Sequence, residues 1–167
     1  ERTRLLYKLA RDVREAAERL AALQTQETGK PIRDSRDEVW GVANCFEYYA
    51  GAVTKHSGET IPVAAKGLDF TLRQPIGVCA LIVPWNYPLA ILSWKLAPAL
   101  ACGNTVVIKP ASYTPLTALE LAKICEKAGA PPGVVNVVTG PGSEVGSALA
   151  SHPAVGKVSF TGEPATG

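Results

Sequence analysis

Four short clusters hold most of the residues able to do chemistry: Pro84-Trp85-Asn86-Tyr87-Pro88, Lys109-Pro110-Ala111-Ser112, Gly140-Pro141-Gly142-Ser143-Glu144-Val145-Gly146 and Phe160-Thr161-Gly162-Glu163. Prolines near Asn86 favour a rigid turn, in which its side-chain amide offers two donors to a developing oxyanion. An asparagine just before a helix also serves as a cap, so that reading stands beside the first. Lys109 can bring a cation with three donors to ribose hydroxyls or a phosphate, or it can be a solvated surface lysine. The glycine set G-x-G-x-x-x-G is one residue longer than the usual dinucleotide fingerprint, and alone it reads equally as a turn and a helix start. With the other clusters it reads as a helix N-terminus whose free N–H groups suit a pyrophosphate, Gly142 and Gly146 allowing close approach.

Each cluster follows a short apolar run. These runs are Val78–Val83, Thr105–Ile108, Val134–Val138 and Lys157–Phe160. Helical segments lie between them, after Pro88, from about Pro115 to Ala128, and near Val145 to Ala150. Short β-branched runs alternating with helices predict βαβ units and a buried parallel sheet. All strand C-termini then reach one edge, where ligands of open α/β sheets bind.

Upstream, Leu5, Leu6, Leu9, Val13, Ala16, Ala17, Leu20 and Leu23 recur at helical spacing. They predict one amphipathic helix of about seven turns. Thr28-Gly29-Lys30-Pro31 stops it, and a second helix runs from about Asp34 to Lys55 with Val39, Trp40, Ala43, Phe46, Tyr49, Ala50 and Val53 as its buried stripe. Glu59–Val63 and Leu68–Arg73 predict a hairpin or edge ribbon. The fold class expected is α/β: N-terminal helices and a partial Rossmann-like parallel sheet with flanking helices and a β-hairpin. Three segments are expected, a helical part of the cofactor-binding domain at 1–57, a ribbon at 58–75 and an incomplete dinucleotide-binding domain at 76–167.

The 167 residues, 47% hydrophobic and 19% charged with a net charge of +2, carry no field that argues for nucleic acid or a membrane, so a small-molecule partner is expected. The longest apolar stretch is far short of the roughly 20 residues that cross a bilayer. Cys45, Cys79, Cys102 and Cys125 are widely spaced, with neither a metal-ligand pattern nor a disulfide framework, which fits the cytosol and predicts small buried hydrophobes. His56 and His152 lack matched partners and are assigned to surface or loop. Trp40, Trp94 and Tyr48-Tyr49 are assigned to core or tunnel wall.

The clusters, together with Ser93–Asn104, Val107–Pro110, Ala128–Val138, Val158–Gly162 and Thr28–Pro31, resemble the aldehyde dehydrogenase superfamily in order and spacing over essentially the whole chain. The resemblance implies a cysteine thiolate that attacks an aldehyde, hydride transfer to NAD or NADP, and hydrolysis of the thioester by water that a glutamate activates. It implies Asn86 as the catalytic oxyanion donor. It implies a cofactor cleft formed by Val83, Pro84, Trp85, Asn86, Lys109, Ala111, Ser112, Gly142, Gly146, Phe160, Thr161, Gly162 and Glu163, with Trp94 on the substrate tunnel. Two positions depart from the pattern. Ser112 stands where many NAD-preferring members have glutamate, which makes NADP admissible, and Glu163 stands where many have serine.

The family's E-L-G-G-K and G-Q-x-C segments are not in this sequence, so none of its cysteines is assigned as nucleophile and the chain alone is expected to be inactive. Its start without methionine and its stop after Gly167 predict truncation at both ends. The full-length parent is expected to be a cytoplasmic homodimer or homotetramer. Asn86-Tyr87, Ser93-Trp94-Lys95 and Ala165-Thr166-Gly167 lean toward betaine-aldehyde or aminoaldehyde enzymes. Two alternatives remain at this point. One is an ordinary Rossmann reductase with Glu163 on the ribose, and the other is a non-catalytic nucleotide-binding or assembly module derived from a dehydrogenase.

Overall fold

In the computed structural model, which describes residues 1–166, the N-terminal apolar stripe forms two helices, α1 (Arg2–Glu15) and α2 (Ala17–Thr28). This corrects the single helix expected. At Ala16 the backbone turns to φ −91°, ψ 7°, and both helices then pack on a third, α3 (Ile32–Ala52). Glu15, Ala16 and Ala17 are all good helix formers, so tertiary packing, not local propensity, sets the break. Gly29 ends α2 at φ 74°, its N–H donating to the Thr25 carbonyl in a left-handed cap that a side chain would strain.

The buried stripe of α3 is Val39, Val42, Ala43, Phe46 and Ala50. Trp40, expected within it, is 51% exposed and lies under the Arg14 guanidinium, 6.0 Å from the ring centroid. Tyr49 and Val53 are only half-buried, and Tyr48 is exposed. A short 3₁₀ turn (Val53–Lys55) leads to the ribbon, β1 (Thr60–Ile61) and β2 (Asp69–Phe70), paired antiparallel. It is shorter than the sequence implies because both strands are exposed and no packing extends them.

The rest alternates as expected: β3 (Val78–Ile82), α4 (Pro88–Ala101), β4 (Thr105–Lys109), α5 (Leu116–Ala128), β5 (Val135–Val137), α6 (Ser147–Ser151) and β6 (Val155–Phe160). The four strands form a parallel sheet in the order β5-β4-β3-β6. Central β3 and β4 are largely buried, whereas most of edge strand β6 is exposed. One continuous apolar cluster joins Leu6, Phe46, Leu92, Leu96, Ile108 and Leu121, so helices and sheet share a core. No described helix is long and apolar enough to cross a membrane.

Candidate active-site edge

Parallel register decides where the four clusters go. Ile82 is level with Lys109 on one side and with Phe160 on the other, and Ile108 is level with Val137. All four strands therefore end along one edge, and the loops leave side by side. Backbone bonds continue the ladder into them: Val83 N–H donates to the Lys109 carbonyl (3.1 Å), Thr161 N–H to the Ile82 carbonyl (3.1 Å), and Val138 N–H to the Ile108 carbonyl (2.9 Å). Strand order reverses between β3 and β6, since β4 and β5 lie on one side of β3 and β6 on the other. Such a switch point opens a crevice between neighbouring loops. Here the loops that flank the switch point are the Val83–Tyr87 segment and the Phe160–Glu163 turn.

Lys109 is 4% exposed, which overturns the reading as a solvated surface lysine. Its Nζ donates to the Pro110 carbonyl at 3.0 Å, and burial pushes its pKa below the ordinary 10.5. Among the described residues the ammonium has no carboxylate partner, and two of its three donors are unpartnered. Ala111 and Ser112 follow on the loop, and the Ser112 hydroxyl donates to the Gly140 carbonyl at 3.1 Å, joining the loops after β4 and β5.

Gly140, at φ 144°, is required by the turn itself, because a Cβ there would meet Val145 Cγ2 at 2.6 Å. Gly142 and Gly146 differ, since a Cβ at either would meet nothing within 4 Å. The space before them is open, as close approach of a pyrophosphate needs. They span a π turn (Gly142–Gly146) that precedes α6, where the sequence predicted a regular helix start. A buried cation at a strand end, hydroxyls at Ser112 and Thr161 and open space at the glycine turn together fit a dinucleotide. Glu163 is exposed, which keeps its carboxylate in water.

Asn86 is exposed and no side chain caps α4 at its N-cap, Tyr87, so the capping alternative is overturned. The capping acceptor comes from α3: Glu38 Oε1 accepts the Ala90 N–H at 3.0 Å. A parallel arrangement holds α5, where the Glu27 carboxylate accepts Leu116 N–H (2.8 Å) and Thr117 N–H (3.2 Å). Sequence reasoning passed over both glutamates. The available signal was the lack of Ser, Thr, Asp or Asn at the N-caps Tyr87 and Pro115.

Trp94 is not brought to the strand edge. It is 61% exposed, away from the core, and rims a cavity of about 670 Å³ bounded by α4, β3, β6 and the ribbon. Lys95 crosses from α4 to β6 there, donating to the Ser159 hydroxyl at 3.0 Å. Among the cysteines, Cys79 and Cys125 are buried, whereas Cys45 and Cys102 are half-buried, less than expected. Burial raises the thiol pKa of Cys45 and Cys79 and pushes that of Cys125 up to about 12, the opposite of what a nucleophile needs. His56 and His152 are exposed, as expected. Gly167, last of the Ala165-Thr166-Gly167 ending, lies outside the described residues.

Comparison with known proteins gives one pattern. The aldehyde dehydrogenase family model matches residues 1–167. Retinaldehyde dehydrogenase 3 of Homo sapiens is 50% identical over 167 residues, covering 99% of this chain and 33% of that protein. Omega-crystallin of Enteroctopus dofleini is 46% identical over 166 residues, 99% of this chain and 34% of that protein. Among solved structures, PnpE from Pseudomonas sp. WBC-3 has a TM-score of 0.97 at 53% identity, over 99% of this chain and 34% of its own. A second PnpE structure, in complex with nicotinamide adenine dinucleotide, is equally similar. The chain thus spans about a third of the length of these relatives.

Proposed function

The chain belongs to the aldehyde dehydrogenase family, and on that footing we propose that it forms the cofactor-binding third of an NAD(P)-dependent enzyme that oxidises an aldehyde to a carboxylic acid. The observation that carries this reading is the alignment of Ile82, Lys109 and Phe160 at one sheet edge, with a buried, largely unpartnered cation one strand from a topological switch point. The bound cofactor would supply a hydride acceptor.

The remaining roles belong to this chain's side chains and backbone. Lys109 holds ribose hydroxyls or a 2′-phosphate, with Ala111 and Ser112 beside it. Gly142 and Gly146 clear the approach for the pyrophosphate. Val83, Pro84 and Trp85 form one wall, and Phe160, Thr161, Gly162 and Glu163 the other. Asn86 offers its amide N–H groups to the oxygen of the tetrahedral adduct, where charge develops as the carbonyl is attacked. Trp94 serves the substrate tunnel. The attacking cysteine and the glutamate that activates water would come from the rest of a longer protein, so this chain alone turns over no aldehyde. Residues 1–57 and 76–167 would act as one cofactor-binding unit. The ribbon at 58–75 would join subunits of a cytoplasmic homodimer or homotetramer.

The test is to purify the longer protein encoded in frame with this chain and follow reduced nicotinamide by absorbance with aliphatic, aromatic and amino aldehydes. Aldehyde-dependent reduction of NAD or NADP is expected for the long protein and none for residues 1–167. Failure of both cofactors with every aldehyde class overturns the proposal.

A further inference from the structure

The Thr28-Gly29-Lys30-Pro31 turn does more than stop α2. Gly29 in its left-handed conformation reverses the chain, and Lys30 N–H donates to Thr28 Oγ1 at 3.2 Å. Lys30 Nζ then forms an ion pair with Glu38 Oε2. The same ammonium lies 3.8 Å from the centroid of the Tyr87 ring, a cation–π contact with the residue next to Asn86. Glu38, only 8% exposed, holds the first turn of α4 through Ala90 N–H, and Gln24 Nε2 donates to its Oε2 at 2.7 Å. Beside this network the Thr25 and Ser35 hydroxyls bond at 2.9 Å, fixing α2 to α3.

We propose that the Lys30–Glu38 pair positions Asn86. It grips the chain immediately after the asparagine at two points, the Tyr87 ring and the third residue of α4, and so fixes where the amide points. The inference rests on the reading of Asn86 as the oxyanion donor. Neither Lys30 nor Glu38 touches the reacting atoms; both act through the loop. A buried ion pair is a costly way to gain stability, since desolvation offsets its attraction, and its best-attested benefit is fixing one arrangement. Errors of about 1 Å at a reacting group can cost about a hundredfold in rate, so partial loosening of this grip should cost about tenfold.

The experiment uses the longer enzyme with Glu38→Gln, Lys30→Met, Lys30→Arg and Asn86→Ala, alone and combined. Glu38→Gln keeps an acceptor for Ala90 N–H but removes the charge, and Lys30→Met breaks the pair from the more exposed side, so one folded variant suffices. Expected for each is a fall in kcat of about tenfold, NAD affinity within about twofold, and faster amide hydrogen exchange in residues 84–92. Lys30→Arg, which keeps the cation over the ring, should stay within about threefold of the parent. In the Asn86→Ala background the further loss should shrink below about twofold, because the residue being positioned is gone. The inference is overturned if the pair variants keep kcat while Asn86→Ala loses it, or if the two losses multiply. If Asn86→Ala itself leaves kcat unchanged, the reading of Asn86 fails first.

Discussion

Replacing Lys109 with methionine separates ligand binding from folding, because the two should move in opposite directions. The ammonium is 4% exposed and its one hydrogen bond among the described residues goes to the Pro110 carbonyl. In the free protein it is therefore a buried cation without a counter-charge, and burial pushes its pKa below 10.5. Methionine keeps most of the stem, gives up a charge-assisted hydrogen bond worth about 1.5–3 kcal/mol and removes the desolvation penalty, which the lowered pKa of Lys109 marks as the dominant influence. The melting temperature should hold or rise. In the role proposed for it, the same ammonium would make a charge-assisted bond to ribose or phosphate worth about 1.5–3 kcal/mol, so NAD(P) should dissociate about 10- to 100-fold more readily from the variant.

The pH dependence has a definite sign. Between the depressed native pKa and 10.5 the unfolded chain binds more protons, so this group's contribution to stability rises with pH. The advantage of Lys109→Met over the parent should be largest near neutrality and vanish as pH climbs through that window. Calorimetric titration with NAD and NADP, beside thermal melts of both proteins from neutral to alkaline pH, measures all of this. A variant that melts lower at neutral pH and still binds cofactor within about twofold would falsify the reasoning, since Lys109 would then serve the fold.

Three further outcomes are expected. Asn86→Ala in the longer enzyme should lower kcat by about 10²–10³ with cofactor affinity unchanged in steady-state assays, and undiminished turnover removes Asn86 from the chemistry. Ser112→Glu places a carboxylate three residues after Lys109 and should cut kcat/KM with NADP by more than about tenfold while sparing NAD; equal loss with both cofactors argues against a 2′-phosphate site there. Cys125, with its thiol pKa pushed up to about 12, should resist iodoacetamide in the native protein when labelling is read by mass spectrometry. Because the native state keeps this proton longer than the unfolded state, stability should fall as pH rises above the ordinary 9.0, less steeply in Cys125→Ala; identical slopes refute this.

The sheet was legible because its signal is local. Runs such as Val78–Val83 and Thr105–Ile108 differ in structure from the expected strands by one residue, and the helices between them differ little more. Periodicity failed where a large apolar residue sits beside a stripe. Trp40 is one position from Val39, which is fully buried, yet its ring faces solvent under Arg14. The break at Ala16 has no local mark in the sequence, and on either side of it α1 and α2 both pack against α3 and α5.

The candidate site divides in the same way. Lys109, the glycine turn and the Thr161 turn could be named because strand ends are local features, and parallel register then lines them up. The use of Asn86 was ambiguous because capping depends on partners far along the chain. Two of the helices that follow site loops, α4 and α5, lack local caps, and carboxylates from the N-terminal helices replace them, Glu38 for α4 and Glu27 for α5. This exchange has a chemical consequence. An asparagine that caps its own helix has its side chain committed to the backbone, whereas one relieved of that task keeps its amide unengaged. The N-terminal helices thus leave Asn86 free while closing the orphan N–H groups beside it.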